Sequence, residues 1–184
     1  MNDEREGRRL QEEDEEPTGV HRMHFDREGH PVSCPPGAQV IWRVSAYACI
    51  RDKMSKIFLI VPEWSDLYEL PGGVVDVTDL LESGLKRSVH LECGKHVVLN
   101  STRPMYVGES NFYDAESEQY CHSIYCVYDC RDVVERAWSV PFTAPEGQEK
   151  KIKTAEWVDV KDLSQDNLHH MHHQLLGYFG HHDD

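Results

Sequence analysis

The chain alternates between apolar runs and short polar breaks from about residue 39 onward, and the spacing of these breaks predicts the elements. Gln39 to Arg51 (QVIWRVSAYACIR) is rich in β-branched and aromatic residues, and Lys56 to Val61 (KIFLIV) is a short buried run. The polar Asp52–Ser55 segment between them is a turn, so the pair predicts a hairpin. Leu67 to Pro71 leads into Gly72-Gly73, and after a short loop the segment Thr78–Cys93 has helical character. Thr78 or Asp79 is the predicted cap, with Gly94 as the left-handed stop. Strands are expected at His96–Leu99, Met105–Glu109, Tyr120–Tyr128 and Lys153–Val160. Within Tyr120–Cys130 both alternating sets of side chains are largely apolar or aromatic, which predicts a central strand covered on both faces. A last helix, about Asp166 to Phe179, aligns Leu168, Met171, Leu175 and Tyr178. Strands with two helices and no strict alternation predict an α+β mixed-sheet sandwich rather than a doubly wound parallel sheet.

Composition changes the picture mainly before residue 39. Residues 1 to about 18 hold eight acids and three arginines with almost nothing apolar, too little to offset the entropy of ordering. The expected organisation is therefore a disordered acidic tail and an irregular lead-in with at most a short turn over 1–38, one domain over 39–180, and a tail over 181–184. The 184 residues carry 33 acids against 19 basic residues, a net charge of −14, and the mean hydropathy is −0.61. That field repels phosphate backbones and anionic lipid, so nucleic acid and membranes are not expected partners. No apolar run is long enough to span a bilayer and no secretory leader is evident, so the expectation is a cytoplasmic protein. Cys34, Cys49, Cys93, Cys121, Cys126 and Cys130 show neither a C-x-x-C pair nor zinc-finger spacing, and are read as reduced thiols.

The stretch LYELPGGVVDVTDLLESGLKRSVHLECG, residues 67–94, carries the chemistry. It resembles the signature of the Nudix family, G-x5-E-x7-R-E-U-x-E-E-x-G-U with U aliphatic. The KIFLIV run before LPGG and AEWVDVKDL ahead of the closing helix extend the likeness to about residues 40–179. Aligned without a gap, Gly73 takes the opening glycine, Asp79 the first glutamate, Arg87 the arginine, Val89 the aliphatic site, Glu92 the second of the adjacent glutamates and Gly94 the last glycine. Ser88 and Leu91 stand where two further glutamates belong, and Lys95 replaces the terminal aliphatic residue. The resemblance implies a Nudix-like α/β/α sandwich with a mixed β-sheet.

Positions 88, 91 and 92 are related by i, i+3 and i+4 and share one helical stripe, on which carboxylates can converge on a hard cation. Magnesium bridging phosphate oxygens offsets the charge that develops as water attacks phosphorus. Here the stripe reads Ser, Leu, Glu. The resemblance therefore implies weak or altered Mg²⁺- or Mn²⁺-dependent hydrolysis of a diphosphate linkage in a nucleoside-diphosphate-type substrate. Glu92 and Arg87 are the expected catalytic residues, Glu92 also holding the metal and Arg87 keeping the loop in shape, with Asp76, Asp79 and Glu149 as supplementary metal acids. Gly72 and Gly73 form the substrate loop, and the metal would be weakly held. The alternative is a catalytically silent Nudix fold binding a nucleotide-like ligand or a protein. An unrelated mixed-sheet domain with a chance LPGG is a third reading.

Other constellations carry less. His169 and His173 share one face of the predicted last helix at i, i+4, and His90 and Cys93 are soft ligands on the signature helix, but the simpler reading for each is packing or surface. The same holds for Cys126, which has no partner base, and for Trp42, Trp64, Trp138 and Trp157 as a stacking wall.

Overall fold

The two apolar runs flanking Asp52–Ser55 form the predicted hairpin, as β3 (Val40–Arg51) and β4 (Lys56–Pro62). Asp52 Oδ1 accepts the Met54 and Lys56 N–H groups, each at 2.8 Å, which closes the turn. The computed structural model describes residues 22–132 and 152–179. The hairpin is paired only at Ile50↔Phe58 and Arg51↔Ile57 before its strands part. β5 (Gly72–Val74) then takes the edge of β3, with Ser45↔Val74, Ala46↔Gly73 and Tyr47↔Gly72 in antiparallel register. β4 turns instead to β9 (Ile152–Asp159). On its other edge β3 runs parallel to β8 (Gln119–Asp132) over eleven positions. β7 (Tyr106–Asp114) and β6 (Val97–Leu99) both pair with β8. The result is one mixed sheet in which β8 is central, as its alternation predicts.

The lead-in differs from expectation. β1 (Met23–Phe25) and β2 (Pro31–Ser33) form a small antiparallel hairpin, joined to the sheet by a parallel Phe25↔Phe112 bridge to β7. Three-residue strands separated by a Gly-containing turn leave too short a pattern to be read from the chain. The proposed acidic tail and the C-terminal tail fall on residues outside those described.

Each face of the sheet has its own core. On one, Ala46, Ala48, Ile50, Phe58, Ile60, Cys126 and Tyr128 pack against Leu85 and Val89 of α1 (Leu81–Cys93). Burial of each of those two helical side chains contributes about 1.5–3 kcal/mol. On the other face, Tyr47, Leu59, Tyr125 and Val127 meet Leu168, Leu175 and Phe179. The C-terminal cover is not the predicted long helix. It comprises a 3₁₀ segment, His170–Leu175, and one turn of α2, Leu176–Phe179. The backbone explains this: Tyr68 N–H donates to Asn167 O at 2.8 Å and His169 N–H to Tyr68 O at 2.9 Å, so residues 167–169 are committed to a bridge. Helix α1 ends at Gly94 in the left-handed region as predicted, but begins at Leu81 with Leu80 as an N-cap lacking a side-chain bond. Thr78 is used elsewhere, donating its N–H and hydroxyl to Asp76 Oδ1 at 2.8 and 2.6 Å. No described helix is long and apolar enough to cross a membrane.

Candidate active site

The segment Tyr68–Val74 threads the opening where β3 and β4 separate. Glu69 bonds by its backbone to Ile60 of β4, Pro71 O accepts the Ala48 N–H at 2.9 Å, and Gly72–Val74 lie along β3. Gly72 has φ +138°, and a β-carbon there would fall inside the backbone of Ala46 and Tyr47. A glycine at position 72 is thus required by the close approach of this segment to β3. Against it stands the last turn of α1, where Glu92 Oε2 accepts the Gly72 N–H at 2.8 Å. This bond fixes the one carboxylate left on the helical stripe at the start of the loop. Lys86 and Lys95, its nearby cations in sequence, pair instead with Glu82 and Asp132.

The remaining box residues brace the loop. Arg87 forms an ion pair with Asp79 across the start of the helix. Asp76 accepts from Thr78, whose hydroxyl above all lowers its carboxyl pKa. Gly84 lies against Val75: an added β-carbon would sit 2.6 Å from Val75 Cγ1, so helix and loop are in tight contact. The structure therefore brings Glu92 to Gly72 and joins Asp79 to Arg87. Asp76 is exposed and hydrogen-bonded within its own turn, and Glu149 lies outside the described residues.

Beside the glycine loop, at Glu69 and Val74, opens a cleft of about 170 Å³, on the sheet face covered by the C-terminal segment. Its floor includes Arg43, Ser45 and Tyr47 of β3, its wall the buried Glu69, and its rim Arg27, Trp64 and His170. The Tyr47 phenol is raised far above its ordinary pKa, first by burial and then by the charges of Glu69 and Glu92. Two carboxylates from different elements thus act on one hydroxyl. Tyr125 Oη donates to Met171 O at 2.9 Å and anchors the cover over this floor. Glu69, Tyr47, Arg27 and Arg43 escape the sequence reading because only folding juxtaposes them. Glu69 alone has a signal, three residues before Gly72.

Magnesium is compatible with one or two protein carboxylates when substrate phosphates and waters complete its shell. Glu92 and Glu69 are two carboxylates whose charges both reach Tyr47, whereas Ser88 and Leu91 leave the rest of the helix stripe without carboxylates. Among the described residues, the three potential ligands that come within 4.8 Å of one another are Asp26, Glu28 and His30, in the β1–β2 turn. There Asp26 already accepts the His30 N–H at 2.7 Å.

The weaker constellations are mostly accounted for. His169 Nε2 lies 3.2 Å from Arg27 O and His173 Nε2 2.7 Å from Leu168 O, so these rings are used in tying down the backbone. Cys93 donates to Val89 O at 3.0 Å, and burial pushes its thiol up to about 11. His90 stacks on His96. All six cysteines are unbridged. Trp157 packs on Phe58, Trp42 is 65% exposed, Trp64 faces the cleft, and Trp138 lies outside the described residues.

Comparison with known proteins agrees with this architecture. The chain resembles the MutT NUDIX hydrolase of Burkholderia pseudomallei at 22% identity, covering 76% of this chain and 98% of that one, with a TM-score of 0.52. It resembles the MutT protein of Methanosarcina mazei Go1 at 23% identity, over 78% and 96% of the two chains, at 0.52. A UDP-X diphosphatase aligns at 18% identity, over 79% and 66%, at 0.53. No curated protein matches the chain. Identities this low speak for the fold. The family model described as NUDIX domain, however, matches residues 41–178, three quarters of the sequence, and the chain belongs to that family.

Proposed function

We propose that the protein hydrolyses a diphosphate linkage in a nucleoside-diphosphate-type substrate, with Mg²⁺ or Mn²⁺ weakly held and the rate reduced by the loss of two box carboxylates. The observation that carries this reading is the Glu92–Gly72 hydrogen bond at 2.8 Å, which ties a half-buried carboxylate to the glycine loop, whose Gly72 pairs in register with Tyr47, a residue that lines an arginine-bearing cleft. The cation would supply charge neutralisation on the phosphate oxygens. Glu92, with Glu69, would hold it. Gly72 and Gly73 let the substrate approach the backbone, and Arg87 with Asp79 keeps the loop in shape. Asp76 serves the turn, and Glu149 is retained as a supplementary acid. The domain proposed for this activity spans residues 39–180, in a cytoplasmic protein whose partners are small nucleotide-like molecules rather than nucleic acid or membrane.

The test is product formation from a panel of nucleoside triphosphates, sugar nucleotides and dinucleoside polyphosphates with Mg²⁺ or Mn²⁺. Glu92→Gln keeps an acceptor for the Gly72 N–H but removes the charge. Its kcat/KM should fall by about 100-fold, equivalent to roughly 2.7 kcal/mol of transition-state stabilisation. Equal turnover in that variant refutes the role of Glu92. A second reading, a silent binding module, draws on Ser88 and Leu91. It is favoured if the wild-type protein binds these nucleotides yet turns over none of them.

A further inference from the structure

The β1–β2 hairpin lies before the segment matched by the family model, yet it builds one end of the cleft. Its turn is closed by the Gly29 N–H donating to Asp26 O at 3.1 Å, with Gly29 at φ +82°. This places Arg27 at the tip. His169 Nε2 meets Arg27 O at 3.2 Å, and the Phe25 and His170 rings lie 5.5 Å apart, so the hairpin is fastened to the C-terminal cover. The guanidinium lies 5.3 Å from the centre of the Trp64 ring, a cation–π contact that orients its fork.

A second guanidinium, from Arg43, reaches the same end. Asp114 stands between the two, with Oδ1 3.9 Å from Arg27 Nη2 and Oδ2 3.8 Å from Arg43 Nη2. Arg27 Nη1 also donates to Glu116 at 2.8 Å, but that carboxylate is 77% exposed and its charge is well screened. Arg43 Nη2 donates to Gln119 Oε1 at 3.2 Å, a neutral partner. Two planar cations that line the cleft are thus assembled around one inner carboxylate, in a protein of net charge −14. Arg43 stands four residues along β3 from Tyr47, which pairs in register with Gly72, the residue bonded to Glu92. At about 3.3 Å per residue the backbones are separated by roughly 13 Å. A ligand gripped near Glu92 would therefore extend its remote part towards the arginines.

We propose that Arg27, with Arg43, is a specificity-determining pair that recognises an anionic group, phosphate or carboxylate, on the part of the substrate remote from the diphosphate. Guanidinium forks bind both groups bidentately. The inference rests on the proposed diphosphate substrate and adds the charge its far end carries.

The test is equilibrium binding by calorimetry, with chelator present so that turnover does not intervene. Two matched probe pairs each differ by one anionic group: NADPH against NADH for a phosphate, and UDP-glucuronate against UDP-glucose for a carboxylate. In at least one pair the more charged member should bind at least about tenfold tighter, and which pair responds identifies the group. Arg27→Gln should reduce that ratio to below about twofold with little change for the less charged member, and Arg27→Lys should restore part of it. A purely structural role would weaken both members alike. Absence of preference in both pairs, or a preference that survives Arg27→Gln, overturns the proposal. Because hydrolysis is not read, failure here leaves the Glu92 test standing, and failure of that test leaves this ratio measurable.

Discussion

The two faces of the sheet are covered by different chemistry. Under α1 the contacts are mainly aliphatic and close, with Ala46, Ala48, Ile60, Leu85 and Val89 beside Phe58 and Tyr128, and the bare backbone of Gly84 against Val75. Under the C-terminal segment imidazoles join the aliphatic contacts of Leu59, Leu168 and Leu175, with His172 buried beside Tyr47 and Tyr125, and His169 and His170 beside the cleft. A face closed by shape is sensitive to volume, and a face closed by imidazoles and phenols is sensitive to protons. The candidate site draws on both, since Glu92 comes from the first cover, the cleft opens beneath the second, and Gly72, bonded to Glu92 and paired with Tyr47, links them. Activity should therefore be lost through either face, but by different perturbations.

The largest effect is expected at the junction itself. Gly72→Val puts a branched side chain at φ +138°, into the backbone of Ala46 and Tyr47, and displaces the bend that meets Glu92. Backbone strain and overpacking each cost about 1–3 kcal/mol, so a loss of roughly 3 kcal/mol or more is expected in urea unfolding, together with loss of nucleotide turnover. Gly73→Ala sharpens the comparison. Its φ is +156°, but nothing lies within 4 Å of an added β-carbon. It should cost clearly less, and equal costs at the two positions would show that conformation rather than close approach governs the bend.

Protons should discriminate between the covers. Burial first, and then His169 and His173, lowers the His170 pKa to about 4, with Asp26 acting in the opposite direction. The unfolded chain, with an ordinary imidazole near 6.5, takes up the proton before the folded one. Stability from this group is complete above pH 6.5 and is lost as pH falls towards 4. His24 and His90 are also lowered by burial and share the window, whereas Asp26, Asp66, Asp76, Asp114 and Asp159, all lowered, lose their contributions only below the usual carboxylate range. The urea midpoint should therefore drop between pH 7 and pH 4.5, and His170→Gln should remove about half of that drop. Hydrogen exchange should locate the loss in residues 170–179 before 81–93. Acid loosening of α1 first would break the comparison.

This contrast also explains which parts were legible in the sequence. Helix α1, its Gly94 stop, the β3–β4 pair and the central β8 are local patterns with one physical solution each, and the glycine loop and Glu92 are marked by the likeness of one stretch to the Nudix signature. The start of α1 was misplaced because Asp76 captures Thr78, a competition between turn and cap that propensity does not decide. The last helix was overextended because Tyr68, a hundred residues earlier, claims the backbone of residues 167–169. The cleft was illegible for the same reason. Arg27, Arg43, Glu69 and His170 belong to four separate segments, and their proximity exists only once the sheet has opened between β3 and β4.

The smallest effect tests the volume-limited face alone. In an unconstrained helix Gly84→Ala would gain about 1 kcal/mol, because glycine is the poorer helix former. Here the new methyl group would lie 2.6 Å from Val75 Cγ1 and 3.2 Å from Cγ2, so Val75 must shift or the helix must lift from the loop. Overpacking of this kind costs about 1–3 kcal/mol, and the net change should be a loss of roughly 1 kcal/mol. Val75→Ala creates the missing space. Adding Gly84→Ala to that variant should be neutral or stabilising, so the two changes should couple by at least about 1 kcal/mol in a double-mutant cycle. Because the contact joins α1 to the loop that precedes it, Gly84→Ala should also weaken the hold of Glu92 on Gly72 and lower turnover, and Val75→Ala should recover part of it. Simple additivity would mean that the helix rides freely over the loop, and that the position of Glu92 depends on its bond to Gly72 rather than on packing.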